Sequence, residues 1–134
     1  MKNLIIASSL LISAVANAEV AVIVHPSNAN ALDKTAITRI YTGKAKSFPD
    51  GKQAVPINQA DGGTTDEFNK SVLNKSTSQL RAYWSKLIFT GKGAPPKVVN
   101  SEAEVLELVS TNPNIIGYVD AASVNDSVKV VAKF

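Results

Sequence analysis

Beyond an uncharged, mostly apolar run from Leu4 to Val15, the apolar positions of this chain alternate between strand-like and helix-like spacing. Val20, Val22, Ile23 and Val24 make a β-branched, nearly continuous run, which predicts a strand over residues 19–25 covered on both faces. Asp33 is placed to cap a helix over residues 34–41 with Ile37, Ile40 and Tyr41 on one face, and Thr42-Gly43 ends it. A polar loop follows over residues 44–53, then a strand over residues 54–58, where Pro56 points to an edge position or a strand start. Three S/T-x-x-E/Q capping boxes come next: Thr64 with Glu67, Ser76 with Gln79, and Ser101 with Glu104. They predict helices to about Leu73, to about Phe89, and to just before Pro113. The middle helix carries an apolar stripe of Leu80, Tyr83, Trp84, Leu87 and Ile88, and the last carries Val105, Leu106 and Val109. Gly91, Gly93 and Pro95-Pro96 close the middle helix. Residues 115–119 read as a strand. Residues 127–134 read as another, with Val128, Val130, Ala132 and Phe134 alternating against Lys129, Val131 and Lys133. Strands alternating with helices predict an α/β domain with a small mixed sheet flanked by helices.

The first apolar run changes the picture of where the domain begins. Lys2 precedes it and Ala16-Asn17-Ala18 follows it, which together read as a cleavable export signal over residues 1–18. The domain is then expected over residues 19–134, in a bacterial periplasm. No cysteine follows the run, so a lipid-anchored form of the signal is not expected. The whole 134-residue chain has no cysteine; a domain of this length buries enough surface to hold without disulfides. The net charge is +3 over the full chain, and the lysines are scattered without a run of like charge. A nucleic-acid surface is therefore not expected.

The richest local signal is the stretch from Val55 to Phe68, in which a short strand runs into Asp61-Gly62-Gly63 and then directly into a helix. The backbone N–H groups and the partial positive charge at such a helix start favour an anion. Glycines without Cβ atoms let a ligand approach the backbone. The same pattern also fits a tight turn that needs glycine for its φ angles and binds nothing. No P-loop or dinucleotide-binding spacing is present. His25 is the one histidine and has no further ligands at metal spacing, so it reads as structural or exposed, and no metal or cofactor is expected. Ser27 has no base near it in sequence, and Asp66-Glu67 reads as first-turn acids rather than an acid/base pair. Tyr83 and Trp84 read as core; Lys44 and Lys46 read as solvated lysines on a loop or, with Tyr41, as a small basic rim. No set of residues suggests an enzyme.

Several stretches, taken in order, resemble the phosphate-binding proteins of ABC transporters. Pro26-Ser27-Asn28 followed by a helix ending in Arg39-Ile-Tyr-Thr-Gly-Lys44 is similar to that family's I-F-x-G-K helix end. Gln59-Ala60-Asp61-Gly62-Gly63-Thr64-Thr65 looks like its R-x-D-G-S-G-T turn, and Asn112-Pro-Asn-Ile-Ile-Gly-Tyr-Val119 like its D-P-G-A-I-G-Y-V strand. Tyr83-Trp84-Ser85-Lys86 and residues 90–96 resemble short, single-lobe exported relatives. The resemblance implies one lobe of a type II periplasmic-binding-protein fold. It also implies a phosphate or related oxyanion held at Gln59, Asp61, Gly62, Gly63, Thr64 and Thr65. Gln59 stands where the family has an arginine, and the turn is one residue shorter, lacking the serine between the two glycines, so charge-assisted and hydroxyl donors are lost there. On this reading Gln59 donates from its amide, residues 62–65 offer backbone N–H groups, the threonines add hydroxyls, and Asp61 accepts from a protonated oxyanion. One lobe leaves the anion solvated, and weak binding is expected. The partners implied are transporter membrane subunits. The alternative expectation is an interaction module that keeps the fold without the ligand and docks another envelope protein or a second copy of itself.

Overall fold

A β-branched strand buried on both faces fixes how this molecule is layered. The computed structural model describes residues 19–134; the leader expected over residues 1–18 lies outside them. Strand β1 (Val20–Val24) is buried at every position. It lies in a five-stranded sheet beside β2 (Val55–Gln59), β3 (Lys97–Val99), β4 (Ile115–Asp120) and β5 (Lys129–Lys133), in the order β3-β2-β4-β1-β5. β1 runs antiparallel to both β4 and β5, whereas β2 runs parallel to β3 and β4. The sheet is mixed, as the alternation of elements predicts. Val20 and Phe134 exchange two backbone hydrogen bonds of 2.9 Å each, tying the start of β1 to the residue after β5.

Pro56 sits in β2, which is interior to the sheet. β3 pairs only with Ile57 to Gln59, so at Pro56 one flank of β2 is still open. The missing N–H is tolerated for that reason. β3 itself has no counterpart in the sequence reading. The predicted alternation of the last strand is broken as well. Val22 pairs with Ala132 and Ile23 with Val130, leaving Val131 as an extra residue in a bulge. The bulge shifts the phase, so Ala132 and Phe134 pack on one face of the sheet and Val128 and Val130 on the other.

Helices α1 (Lys34–Tyr41), α2 (Gly63–Ser71) and α3 (Thr77–Phe89) lie to one side and α4 (Glu102–Thr111) to the other. Asp33 caps α1 as expected, its carboxylate accepting from the Ala36 N–H at 2.8 Å. Gly43 follows the α1 C-cap at φ +77°, and Trp84 lies 3.3 Å from where its Cβ would be. Both the backbone angle and the contact call for glycine there. Ser76 and Gln79 form the reciprocal capping box that opens α3. Ser101 caps α4 through the Glu104 N–H, but the Glu104 carboxylate turns to Asn100 instead of closing a box.

The box predicted at Thr64 does not form. α2 begins at Gly63 with Gly62 as its N-cap and no side-chain cap. Thr64 is inside the first turn, its hydroxyl bonded to Glu102, while Glu67 accepts from Ser71.

Tyr41 is not part of a basic rim. It is buried, and its hydroxyl donates to the carbonyls of Ile57 and Ile116, joining α1 to β2 and β4. Lys44 and Lys46 are exposed. Phe68 stacks on Tyr118 at 3.9 Å between ring centres and meets Tyr41 edge-on at 4.7 Å. The stripe predicted on α3 is buried only at Leu80; Tyr83, Trp84 and Leu87 are half-buried, and Ile88 is 54% exposed. α3 packs on α2 and on the Thr42 carbonyl, which takes the Tyr83 hydroxyl, rather than on the sheet. Among the described residues, no helix is long and apolar enough to cross a membrane.

Candidate functional site

All six residues singled out at the glycine turn fall between the end of β2 and the start of α2, at the carboxyl end of the parallel strands. Ligands of open α/β sheets sit at that end. The Ala60 N–H bonds to the Val99 carbonyl, so β3 holds the turn from one side. Gly62 is extended at φ 168°, and Gly63 is helical. A Cβ on Gly63 would meet nothing within 4 Å, and one on Gly62 would meet only a carbonyl at 3.9 Å. Neither the backbone angles nor the packing requires glycine at these two positions. The account of the turn as one that needs glycine for its own φ angles therefore fails. What the missing side chains do is leave the start of α2 open. The N–H groups of Gly63, Thr64 and Thr65 have no partner within the helix, and no side chain caps them.

The side chains of the turn face other tasks. The Gln59 amide donates to the Tyr118 carbonyl at 2.7 Å. The Thr65 hydroxyl is buried and donates to the Ala60 carbonyl at 2.9 Å, while accepting from the Tyr118 hydroxyl. The Thr64 hydroxyl donates to Glu102 at 3.2 Å. Glu102 also accepts from the Asp120 N–H at 2.8 Å and from the Ser123 hydroxyl. Gly63 and Thr64 line a small cavity of about 240 Å³ with Glu19, Glu67 and Asp120. The start of α2 therefore looks out on carboxylates.

Cationic charge reaches the turn from a place the sequence does not point to. Arg81 on α3 pairs with Asp61 at 3.1 Å, both side chains more than two-thirds exposed. An exposed pair of this kind adds little stability, but it puts a guanidinium at the turn where position 59 has an amide. Burial raises the Tyr41 hydroxyl well above its ordinary pKa, with the neighbouring Tyr118 adding to the effect. Burial also raises Tyr118, against the opposing bonds to Thr65 and Gln59. Both phenols stay protonated and act as donors. His25 makes a local turn, its Nδ1 sharing a hydrogen with Ser27 Oγ at 2.7 Å and accepting from the Ser27 N–H. No cluster of three or more acid, histidine or cysteine side chains that could hold a metal occurs among the described residues.

A mixed open sheet with helices on both faces and a turn at the strand ends matches the fold of one lobe of a periplasmic-binding protein. The fold is shared with several solved proteins. The chain is similar to a candidate phosphate ABC transporter substrate-binding protein from Clostridium perfringens, solved with bound phosphate (TM-score 0.64, 24% identity, 85% of this chain and 45% of that one). It is also similar to an ABC-type phosphate transport receptor from Vibrio cholerae (TM-score 0.64, 20% identity, 85% and 46%) and to PstS from Borrelia burgdorferi (TM-score 0.61, 19% identity, 86% and 47%). The chain spans about half the length of these proteins. At such identities the likeness is one of fold. No protein-family model and no curated protein matches the chain.

Proposed function

We propose that this is an exported binding protein, cleaved after residue 18 and acting in the periplasm, that takes phosphate or a related oxyanion at the turn from Gln59 to Thr65. It binds rather than catalyses. The observation that carries this reading is the pair Gly62-Gly63, which the backbone does not need and which leaves the N–H groups of α2 open. The fold shared with phosphate receptors supports it. The N–H groups of Gly63, Thr64 and Thr65 hold the oxyanion and Arg81 supplies the cation. The carboxylates of Asp61 and Glu102 favour an oxyanion that keeps a proton to donate, which selects phosphate over sulfate near neutral pH. Binding is weak, because the site is open to solvent and ringed by acids. Delivery to the membrane subunits of a phosphate ABC transporter is the corresponding role.

The test is calorimetric titration of phosphate into the purified protein, with sulfate as control and Gly63→Val as the variant. Gly63 has room for a side chain, so the variant keeps the fold and covers the N–H groups. Saturable phosphate binding lost in the variant supports the reading; no heat with phosphate in folded protein removes it.

A second reading has its own observation. Ile88, Phe89 and Val98 are exposed, Phe89 at 91%, and Ile88 and Val98 line one cleft with Gln59 and Asp61 of the turn. An interaction module that docks an envelope protein or a second copy through this face accounts for them.

A further inference from the structure

A cleft of about 440 Å³ opens beside the turn, beneath α3. It adjoins the anion position: its lining shares Gln59, Asp61, Thr65 and Arg81 with that site but includes none of Gly62, Gly63 or Thr64. Leu73, Leu80, Trp84, Ile88, Pro96 and Val98 make its apolar walls. Its volume and its mostly apolar lining are those of a small-molecule pocket.

Asn69 lines the cleft from α2 and is 3% exposed. Its amide orientation is fixed by a chain of hydrogen bonds. Thr77 donates its single hydroxyl proton to Asp66 at 2.6 Å, because a carboxylate only accepts. The Thr77 oxygen must then accept, and it does so from Asn69 Nδ2 at 3.1 Å. Asn69 Oδ1 is left over, buried and without a partner among the described residues. A buried acceptor with no donor destabilises the fold until something supplies one. The charged residues of the lining are Asp61 and Arg81, an exposed pair at the turn end of the cleft.

From this combination we infer that the cleft is a second binding site, for an uncharged molecule with a flat apolar body and one hydroxyl. The body lies against Trp84 and Leu80, and the hydroxyl donates to Asn69 Oδ1. An ionised oxyanion has neither the proton nor the apolar surface the cleft asks for. The site borders the anion position, with Gln59, Asp61, Thr65 and Arg81 common to both, and its test is read without phosphate.

The probes are phenol and toluene, which share an outline and differ in the donor. Each is titrated into ¹⁵N-labelled protein, following the Asn69 side-chain amide and the indole N–H of Trp84, the chain's one tryptophan. Phenol is expected to shift both signals and to bind at least threefold more tightly than toluene. In Asn69→Leu the order reverses, toluene binding better. The comparison of probes in the unmodified protein stands even if that variant does not fold. Toluene binding as tightly as phenol, shifts that fall outside the cleft, or a fixed water on Asn69 that phenol does not displace would each overturn the proposal.

Discussion

The two faces of the sheet are closed in different ways. On one face α4 presses directly onto β4. A Cβ on Gly117 would lie 2.7 Å from Val105 and 3.2 Å from Val109, so the helix is as close as a strand without a side chain allows. On the other face the inner layer is as tight, with Phe68 stacked on Tyr118 and edge-on to Tyr41. The outer layer there is loose: α3 stands off the sheet, leaves a cleft and exposes Ile88 and Phe89. A face held by one close helix has no space to give. A face covered in two layers keeps a rigid inner floor while its outer layer remains available to something else.

Breaking the inner floor is expected to cost most. Phe68→Ala removes a fully buried ring and should lower stability by about 3–5 kcal/mol in denaturant unfolding. Gly117→Ala tests the closed face; overpacking against Val105 and Val109 should cost about 1–3 kcal/mol. The same substitution at Gly63, where a Cβ meets nothing, should be nearly neutral in the fold.

Alkaline titration sharpens the contrast between the layers. Tyr41 and Tyr118 have folded pKa values raised above the ordinary tyrosine value of about 10, so the unfolded chain loses these protons first. Their contribution is fully present below about pH 10 and is lost as pH rises through the raised values, and stability should fall across that range. Tyr83, on the outer layer, donates to the Thr42 carbonyl, and Tyr83→Phe should cost only about 1 kcal/mol in denaturant unfolding. The smallest effect is expected from Phe89→Ser, within about 0.5 kcal/mol, because this ring is already in water. A large loss of stability in that variant would mean that the outer face is covered in solution.

Local signals in the sequence pass into the structure where the contacts that decide them are local. The Asp33 cap and the Ser76–Gln79 box need only neighbours within one turn, and both form. The β-branched run of β1 is buried because its composition leaves it no wet face. β3 escapes notice because Lys97–Val99 has no period of its own and becomes a strand by pairing with β2. The α3 stripe shows that an apolar face exists but not whether anything covers it. Thr64 has the spacing of a box, yet Glu102, 38 residues away, takes its hydroxyl. The location of the glycine turn is legible for the same local reason. Arg81 and Glu102, which set its charge, come from other elements and are brought there by the fold.

The paired bonds between Val20 and Phe134 have a mechanical consequence. β1 and β5 are antiparallel, and the start of one meets the end of the other. A pull applied at Glu19 and Phe134 would load the rungs of this ladder one after another instead of sharing the force among them. The β1–β5 edge should peel like a zipper at low force, while β4 keeps its hold on the other flank of β1.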